Sequence, residues 1–134
     1  MVNKALRIAT IAHAGQLDKG GVPYITHPFR MALMLQGDDL RTVALLHDVV
    51  EDTSVTLKDL SDSFPTHIIE AVDAMTHRHG ETYNKYLTRV NQNILAKQVK
   101  IADLRDNLSP DREYPNRRTE RYESALNFLT NGII

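Results

Sequence analysis

The sequence predicts an all-α protein with roughly six to seven helices around one core. Three observations predict it. Apolar residues recur at helical spacing along most of the 134-residue chain. No stretch alternates apolar and polar residues as a half-buried strand would. The periodic segments are separated by residues that start or stop helices, such as His27-Pro28, Gly37-Asp38-Asp39, Thr56 with Asp59, and Asn131-Gly132.

In chain order, residues 3–16 repeat Ala5, Ile8, Ala9 and Ala12 on one side and predict a first helix. DKGGVPY (18–24) is a loop, given Gly20, Gly21 and Pro23. Pro28 suits the first turn of a second helix, with Met31, Ala32, Leu33 and Leu35 behind it. Gly37 to Asp39 end that helix and cap a third, which contains VALLHDVVEDT (43–53). Thr56 with Asp59 resembles a capping box opening a short helix. PTHIIEAVDAMTH (65–77) reads as another helix, ended by HRHG. Residues 81–108 predict one long or broken helix that closes in VKIADLRDNL. SPDREYP (109–115) is turn-rich, and NRRTERYESALNFLTNG supplies a terminal helix.

Length and composition predict one domain, residues 1–134, that buries a core without staples. There is no cysteine, so any metal must be held by histidine and carboxylate, and a reducing cytoplasm fits. A net charge of -1 excludes a strongly basic, nucleic-acid-coating surface. The N-terminus carries Lys4, Arg7 and His13 in its apolar pattern and no apolar signal-peptide core follows. No window approaches the ~20 apolar residues of a membrane span. Oligomeric state stays open.

Within VALLHDVVEDT, a helix turning about 100° per residue gathers His47, Asp48, Glu51 and Asp52 on one side. Val43, Leu45, Leu46, Val49 and Val50 fall on the other. Three carboxylates and an imidazole this close repel one another unless positive charge sits among them. His27 opens one helix, His47 and Asp48 lie in another, and Asp103 lies in the apolar VKIADL. Two imidazoles and two carboxylates from separate helices could converge on one divalent cation, with mixed ligation suiting Mn²⁺, Fe²⁺ or Zn²⁺. Taken singly, each residue also has a plain structural role: His47 as a core histidine, Asp103 as a partner for Lys100 or Arg105, Glu51 and Asp52 as a solvated helix end.

AHAGQLDKGGVPYITHP, ALLHDVVEDT and VKIADLRDNL, in this order and spacing, resemble the HD-superfamily hydrolase domain of the Rel/SpoT-type alarmone enzymes. They resemble the free-standing small alarmone hydrolases more closely still. The likeness spans about the first 110 residues. It implies the all-α HD fold, with Mn²⁺ ligands at His27, His47, Asp48 and Asp103; Fe²⁺, Co²⁺ or Zn²⁺ are alternatives. It implies a catalytic acidic pair at Glu51 and Asp52, a ribose contact at Asn107 and a pocket-lining Tyr24. Arg118 and Tyr122 repeat an Arg/Tyr spacing that contacts phosphate and base. Lys19 is the expected phosphate-neutralising residue; for Lys97, Lys100, Arg78 and Arg105 a solvated charged face is expected instead.

The implied reaction is metal-dependent removal of pyrophosphate from the 3′ position of (p)ppGpp, giving GDP or GTP, by a cytoplasmic enzyme on a small-molecule nucleotide. No nucleic-acid or membrane partner is expected. With no synthetase or regulatory domain in the chain, only degradation is expected.

Three stretches depart from the family pattern. Asp18 stands in Gln16-Leu17-Asp18-Lys19-Gly20-Gly21 where an arginine is usual. Thr76-His77-Arg78 replaces Thr-Lys, and Ala102-Asp103-Leu104 replaces Ala-Asp-Arg. None alters a ligand, but base recognition is left open. The alternatives are therefore an HD phosphohydrolase acting on (p)ppApp, NADPH or a nucleoside phosphate, and a non-catalytic nucleotide-binding module.

Overall fold

A computed structural model describes residues 1–109 and 118–131, with Arg118 described by its backbone alone. The described residues form α1 (Val2–Ala12), α2 (Thr26–Met34), α3 (Asp38–Leu46), α4 (Val49–Asp52), α5 (Leu57–Ser61), α6 (Thr66–Met75), α7 (Tyr83–Gln92), α8 (Ile94–Asn107) and α9 (Arg118–Asn131). The expectation of an all-α chain holds. Among these residues the extended pairing is an isolated bridge between Leu17 and Pro23, which pinches the loop after α1.

Helix number exceeds the six to seven expected, because the described residues contain nine. Two breaks account for much of the difference. Asn93 is extended (φ -111°, ψ 117°) and its side chain accepts from the Ala96 N–H at 2.9 Å, so the long segment stops and restarts as α7 and α8. VALLHDVVEDT is likewise two helices joined by a turn at His47 and Asp48. Asp48 sits at φ -104°, ψ -1°, and His47 keeps helical angles, so the side chains still fan out much as a continuous helix would place them.

The core is built around α3, which packs against α1, α2, α6 and α8. A helix covered on so many sides must be apolar nearly all round, and Thr42 to Leu46 are buried without interruption. Ala5 and Ala9 let α1 lie close against it, while Met31, Ile68, Val72, Val99 and Leu104 fill the space between neighbouring helices. Val49 is fully buried, whereas Val50 is only partly so. The capping box is present: Thr56 Oγ1 accepts from Asp59 N–H and Asp59 Oδ2 accepts from Thr56 N–H, both at 3.0 Å. No helix among the described residues is long and apolar enough to cross a membrane.

Candidate active site

The start of α2, the end of α3 and the middle of α8 meet at one point. His27, His47 and Asp103 are buried there, and one ligand atom from each lies within 4.8 Å of the others. His47 Nδ1 is 2.7 Å from the Ala44 carbonyl, which can only accept, so this nitrogen carries the proton. Nε2 is thereby turned inward. It lies 2.9 Å from Asp48 Oδ2 and 3.5 Å from Asp103 Oδ1, yet makes no hydrogen bond of acceptable geometry and is buried. A buried lone pair facing carboxylate oxygens is costly unless a cation or proton lies between them.

His27 is held in the same sense. Its Nε2 is 2.7 Å from Asp103 Oδ1, and its Nδ1 is 2.6 Å from Asp106 Oδ2. Arg30 clamps Asp106 in turn, with Nε at 2.9 Å and Nη2 at 3.0 Å from its two oxygens. A carboxylate behind an imidazole fixes ring orientation and strengthens the outward nitrogen as a ligand. Two imidazole nitrogens and two carboxylates, already oriented, fit a first-row divalent cation. Asp48 lies at the edge of this group rather than in its tightest cluster, and its Oδ2 also accepts from the Tyr24 hydroxyl.

The local charges reflect the same crowding. Burial would raise the Asp48 carboxyl, but the charge of the neighbouring His47 brings it down to about 2. Burial likewise opposes ionisation of Asp103, and Lys100 with the two histidines overcomes it, holding Asp103 well below the usual range. Lys100 is raised well above its usual value by Asp103 despite its own burial, and His47 is raised by Asp48 and Asp103 in the same way. Asp52 moves the other way, up to about 6, through burial and the neighbouring Asp48 and Glu51 charges. Burial and then Asp48 raise the Tyr24 phenol, so it stays a hydrogen-bond donor.

A cavity of about 410 Å³ opens above these groups, within the range of small-molecule sites. Glu51 and Asp52 sit on its wall with Asp48 and Asp103, and Lys19, Tyr24, Asn107 and Tyr122 line it as well. Asn107 Nδ2 donates to Asp103 Oδ1 at 3.2 Å, so it touches the buried cluster as well as the cavity. Glu51 Oε1 accepts from the His77 N–H at 2.7 Å. Arg118 opens α9, but its side chain lies outside the described residues.

One expectation changes. Lys100 does not lie on a solvated face: its side chain is 12% exposed, lines the cavity and places Nζ 2.8 Å from Asp103 Oδ2. Arg78 and Arg105 are exposed as expected, and Lys97 lies away from the cavity wall. Asp18, where the family pattern has an arginine, is a loop fastener. Its Oδ1 accepts from Gly20 N–H at 2.8 Å and Val22 N–H at 3.0 Å, while Gly21 takes the positive φ (81°) the turn needs.

Sequence reasoning missed Asp106, Arg30 and His13. The signal for Asp106 was its spacing: three residues after Asp103, it shares the helix face that meets His27. His13 is buried behind Tyr24 with ring centroids 5.0 Å apart, and its Nδ1 is 2.9 Å from Gln16 Oε1. Gln16 Nε2 reaches the Asp52 carbonyl at 3.3 Å, so the AHAGQ segment braces the cavity from behind.

The sequence profile of the HD domain matches residues 5–109. A probable GTP pyrophosphokinase of Mycobacterium leprae is 36% identical over 134 residues, covering 90% of this chain and 17% of that protein. A guanosine-3′,5′-bis(diphosphate) 3′-pyrophosphohydrolase of Borreliella burgdorferi is 34% identical, covering 88% of this chain and 20% of that protein. The chain thus spans between 17% and 20% of the length of these curated relatives. A solved structure described as a metazoan ortholog of SpoT that hydrolyzes ppGpp superposes with a TM-score of 0.78. It covers 98% of this chain and 86% of its own at 22% identity, and so shares the fold.

Proposed function

The chain belongs to the HD domain family, and from that premise we propose that residues 1–134 act as one metal-dependent hydrolase unit. It removes pyrophosphate from the 3′ position of guanosine tetra- or pentaphosphate, leaving GDP or GTP. The reading agrees with the 34%-identical relative named for that activity. The observation that carries it is the inward Nε2 of His47, buried without a hydrogen bond against Asp48 and Asp103, two carboxylates that line a cavity of about 410 Å³.

His27, His47, Asp48 and Asp103 would hold the cation, Mn²⁺ in this proposal, with Fe²⁺, Co²⁺ or Zn²⁺ as alternatives. When bound, the ion supplies Lewis acidity that brings water towards ionisation near neutral pH and polarises a phosphoryl oxygen. The protein supplies the rest. Glu51, fixed through Oε1 by the His77 N–H, orients water with its other oxygen. Asp52, pushed up to about 6, takes up and releases a proton at its carboxylate near neutral pH. Water adds at the phosphorus bonded to O3′, that P–O bond breaks, and the 3′ oxygen leaves as a hydroxyl.

Lys19 and Lys100, both on the cavity wall, offset phosphate charge. Asn107 contacts the ribose, Tyr24 and Tyr122 frame the nucleoside, and Arg118 serves phosphate. The reading places the enzyme in the cytoplasm with a small-molecule nucleotide and no nucleic-acid or membrane partner.

One observation favours a second reading. Among the described residues Asp18 fastens its own loop, and Lys19 is the basic residue that this loop brings to the cavity, where the family pattern has an arginine. (p)ppApp or NADPH is then the competing substrate. Product analysis with Mn²⁺ on guanosine tetraphosphate, its adenosine counterpart and NADPH separates these. Pyrophosphate from the first at the highest kcat/KM supports the proposal. Phosphate from NADPH alone would overturn it, and metal binding without turnover of any of the three would favour a binding module.

A further inference from the structure

We propose that Arg89, paired with Glu81, is a positioning residue for Glu51, acting through the loop between α6 and α7. It rests on the hydrolase reading for its kinetic consequence, though not for its structural one.

The chain of contacts is continuous. Glu51 Oε1 accepts from the His77 backbone N–H at 2.7 Å. His77 belongs to the α6–α7 loop, which has no regular structure to hold its backbone in place. A guanidinium on α7 fastens the loop on both sides of His77, beside the Arg78–Asp73 pair at 3.4 Å and the Glu81 N–H bond to the Arg78 carbonyl at 3.1 Å. Arg89 Nε donates to Glu81 Oε2 at 2.6 Å and Nη2 to Glu81 Oε1 at 2.8 Å, a two-pronged pair. The same Nη2 reaches the Thr76 carbonyl at 2.8 Å, and Nη1 reaches the Asp73 carbonyl at 3.3 Å. Glu81 Oε1 also accepts from the Arg78 N–H at 3.1 Å. The residues immediately before and after His77 are therefore both tied to the Arg89–Glu81 pair.

The His77 ring closes the arrangement, with Nε2 2.7 Å from the Glu81 carbonyl and its centroid 5.0 Å from that of Tyr86. Tyr86 is itself anchored by its hydroxyl to the Met75 carbonyl at 2.8 Å. The pair is shielded enough to matter, at 21% side-chain exposure for Arg89 and 11% for Glu81. Neither residue lines the cavity, so neither touches substrate or cation. Their effect passes through one amide.

A fixed N–H on one carboxylate oxygen leaves the other with a defined direction, and reacting groups lose rate steeply when misplaced by about 1 Å. Arg89→Ala should therefore lower kcat roughly 10- to 100-fold while leaving KM and Mn²⁺ affinity within about twofold. Glu81→Gln keeps the side-chain shape and should give the same pattern with a smaller loss. It guards against misfolding of the alanine variant. In a double-mutant cycle, Arg89→Ala should add little in a Glu51→Gln background, because the carboxylate it serves is gone.

The direct structural reading is amide hydrogen exchange at His77, slow in the native protein and at least about tenfold faster in both variants. Full additivity with Glu51→Gln, or unchanged His77 exchange, would overturn the proposal. If the wild-type protein hydrolyses no nucleotide, the hydrolase reading fails, while the exchange experiment still decides whether Arg89 fixes the amide at Glu51.

Discussion

Asp106→Ala should weaken metal binding although Asp106 is not proposed as a ligand. Its Oδ2 accepts from His27 Nδ1 at 2.6 Å and is what turns Nε2 towards Asp103. Loss of such an outer carboxylate costs about 10- to 100-fold in affinity, or about 1.4–2.7 kcal/mol. The Asp106 side chain is 7% exposed, so its removal leaves the buried His27 N–H without its carboxylate partner. Arg30 is 39% exposed and recovers water, which limits the added loss of fold stability to about 1–3 kcal/mol. Asp106→Asn retains an oxygen that can accept from His27, and its affinity loss should stay within about tenfold. Calorimetric titration of the apoprotein with Mn²⁺, with thermal unfolding run alongside, measures both effects. Wild-type affinity in a folded Asp106→Ala variant would refute the account of how His27 is oriented.

Two further outcomes follow from the charges. Asp48 and Asp103 hold the His47 imidazolium well above its usual range, against its burial, so a cation binding at Nε2 must displace that proton. Apparent Mn²⁺ affinity should then climb with pH, by up to about tenfold per unit, and calorimetry in buffers of different ionisation enthalpy should register proton release; a pH-independent affinity with no release would contradict this. The hydrogen bonds from Arg89 depress Glu81 from 4.5 to about 2, so its ion pair stabilises the fold above about 4.5 and loses that contribution as pH falls towards about 2. The stability gap between wild type and Glu81→Gln, measured by denaturant unfolding, should be widest near neutral pH and close across that window. A gap that stays constant down to pH 2 would show that the pair is not depressed as described.

Much of the fold was legible because helices announce themselves by period and cap. Thr56 and Asp59 form the reciprocal cap their spacing predicts, and Ala5, Ala9 and Met31 are buried where periodicity put them. The turn at His47–Asp48 was not legible, since both residues keep near-helical angles and the apolar pattern runs through it unbroken. Metal-site candidates were readable as residue types on separate helices, but their convergence depends on how α2, α3 and α8 pack, which a linear pattern does not encode. Lys100 shows the same limit. A lysine three residues before an aspartate looks like a surface pair, and only the covering of α8 by α2, α3, α6, α7 and α9 makes it a largely shielded one. Arg89 lies still further from legibility, because its effect on Glu51 runs through a loop amide that any residue except proline could supply.

The central claim is that a cation held by His27, His47, Asp48 and Asp103 drives release of pyrophosphate from a 3′-pyrophosphorylated guanosine nucleotide. Its most direct test is titration of the metal-stripped protein with Mn²⁺ while the products of guanosine tetraphosphate are followed by ³¹P NMR. The account predicts no turnover without metal, activity that saturates near one equivalent, and GDP and pyrophosphate as the products, all lost in Asp48→Ala. Turnover that is indifferent to metal, or that survives Asp48→Ala, would contradict it.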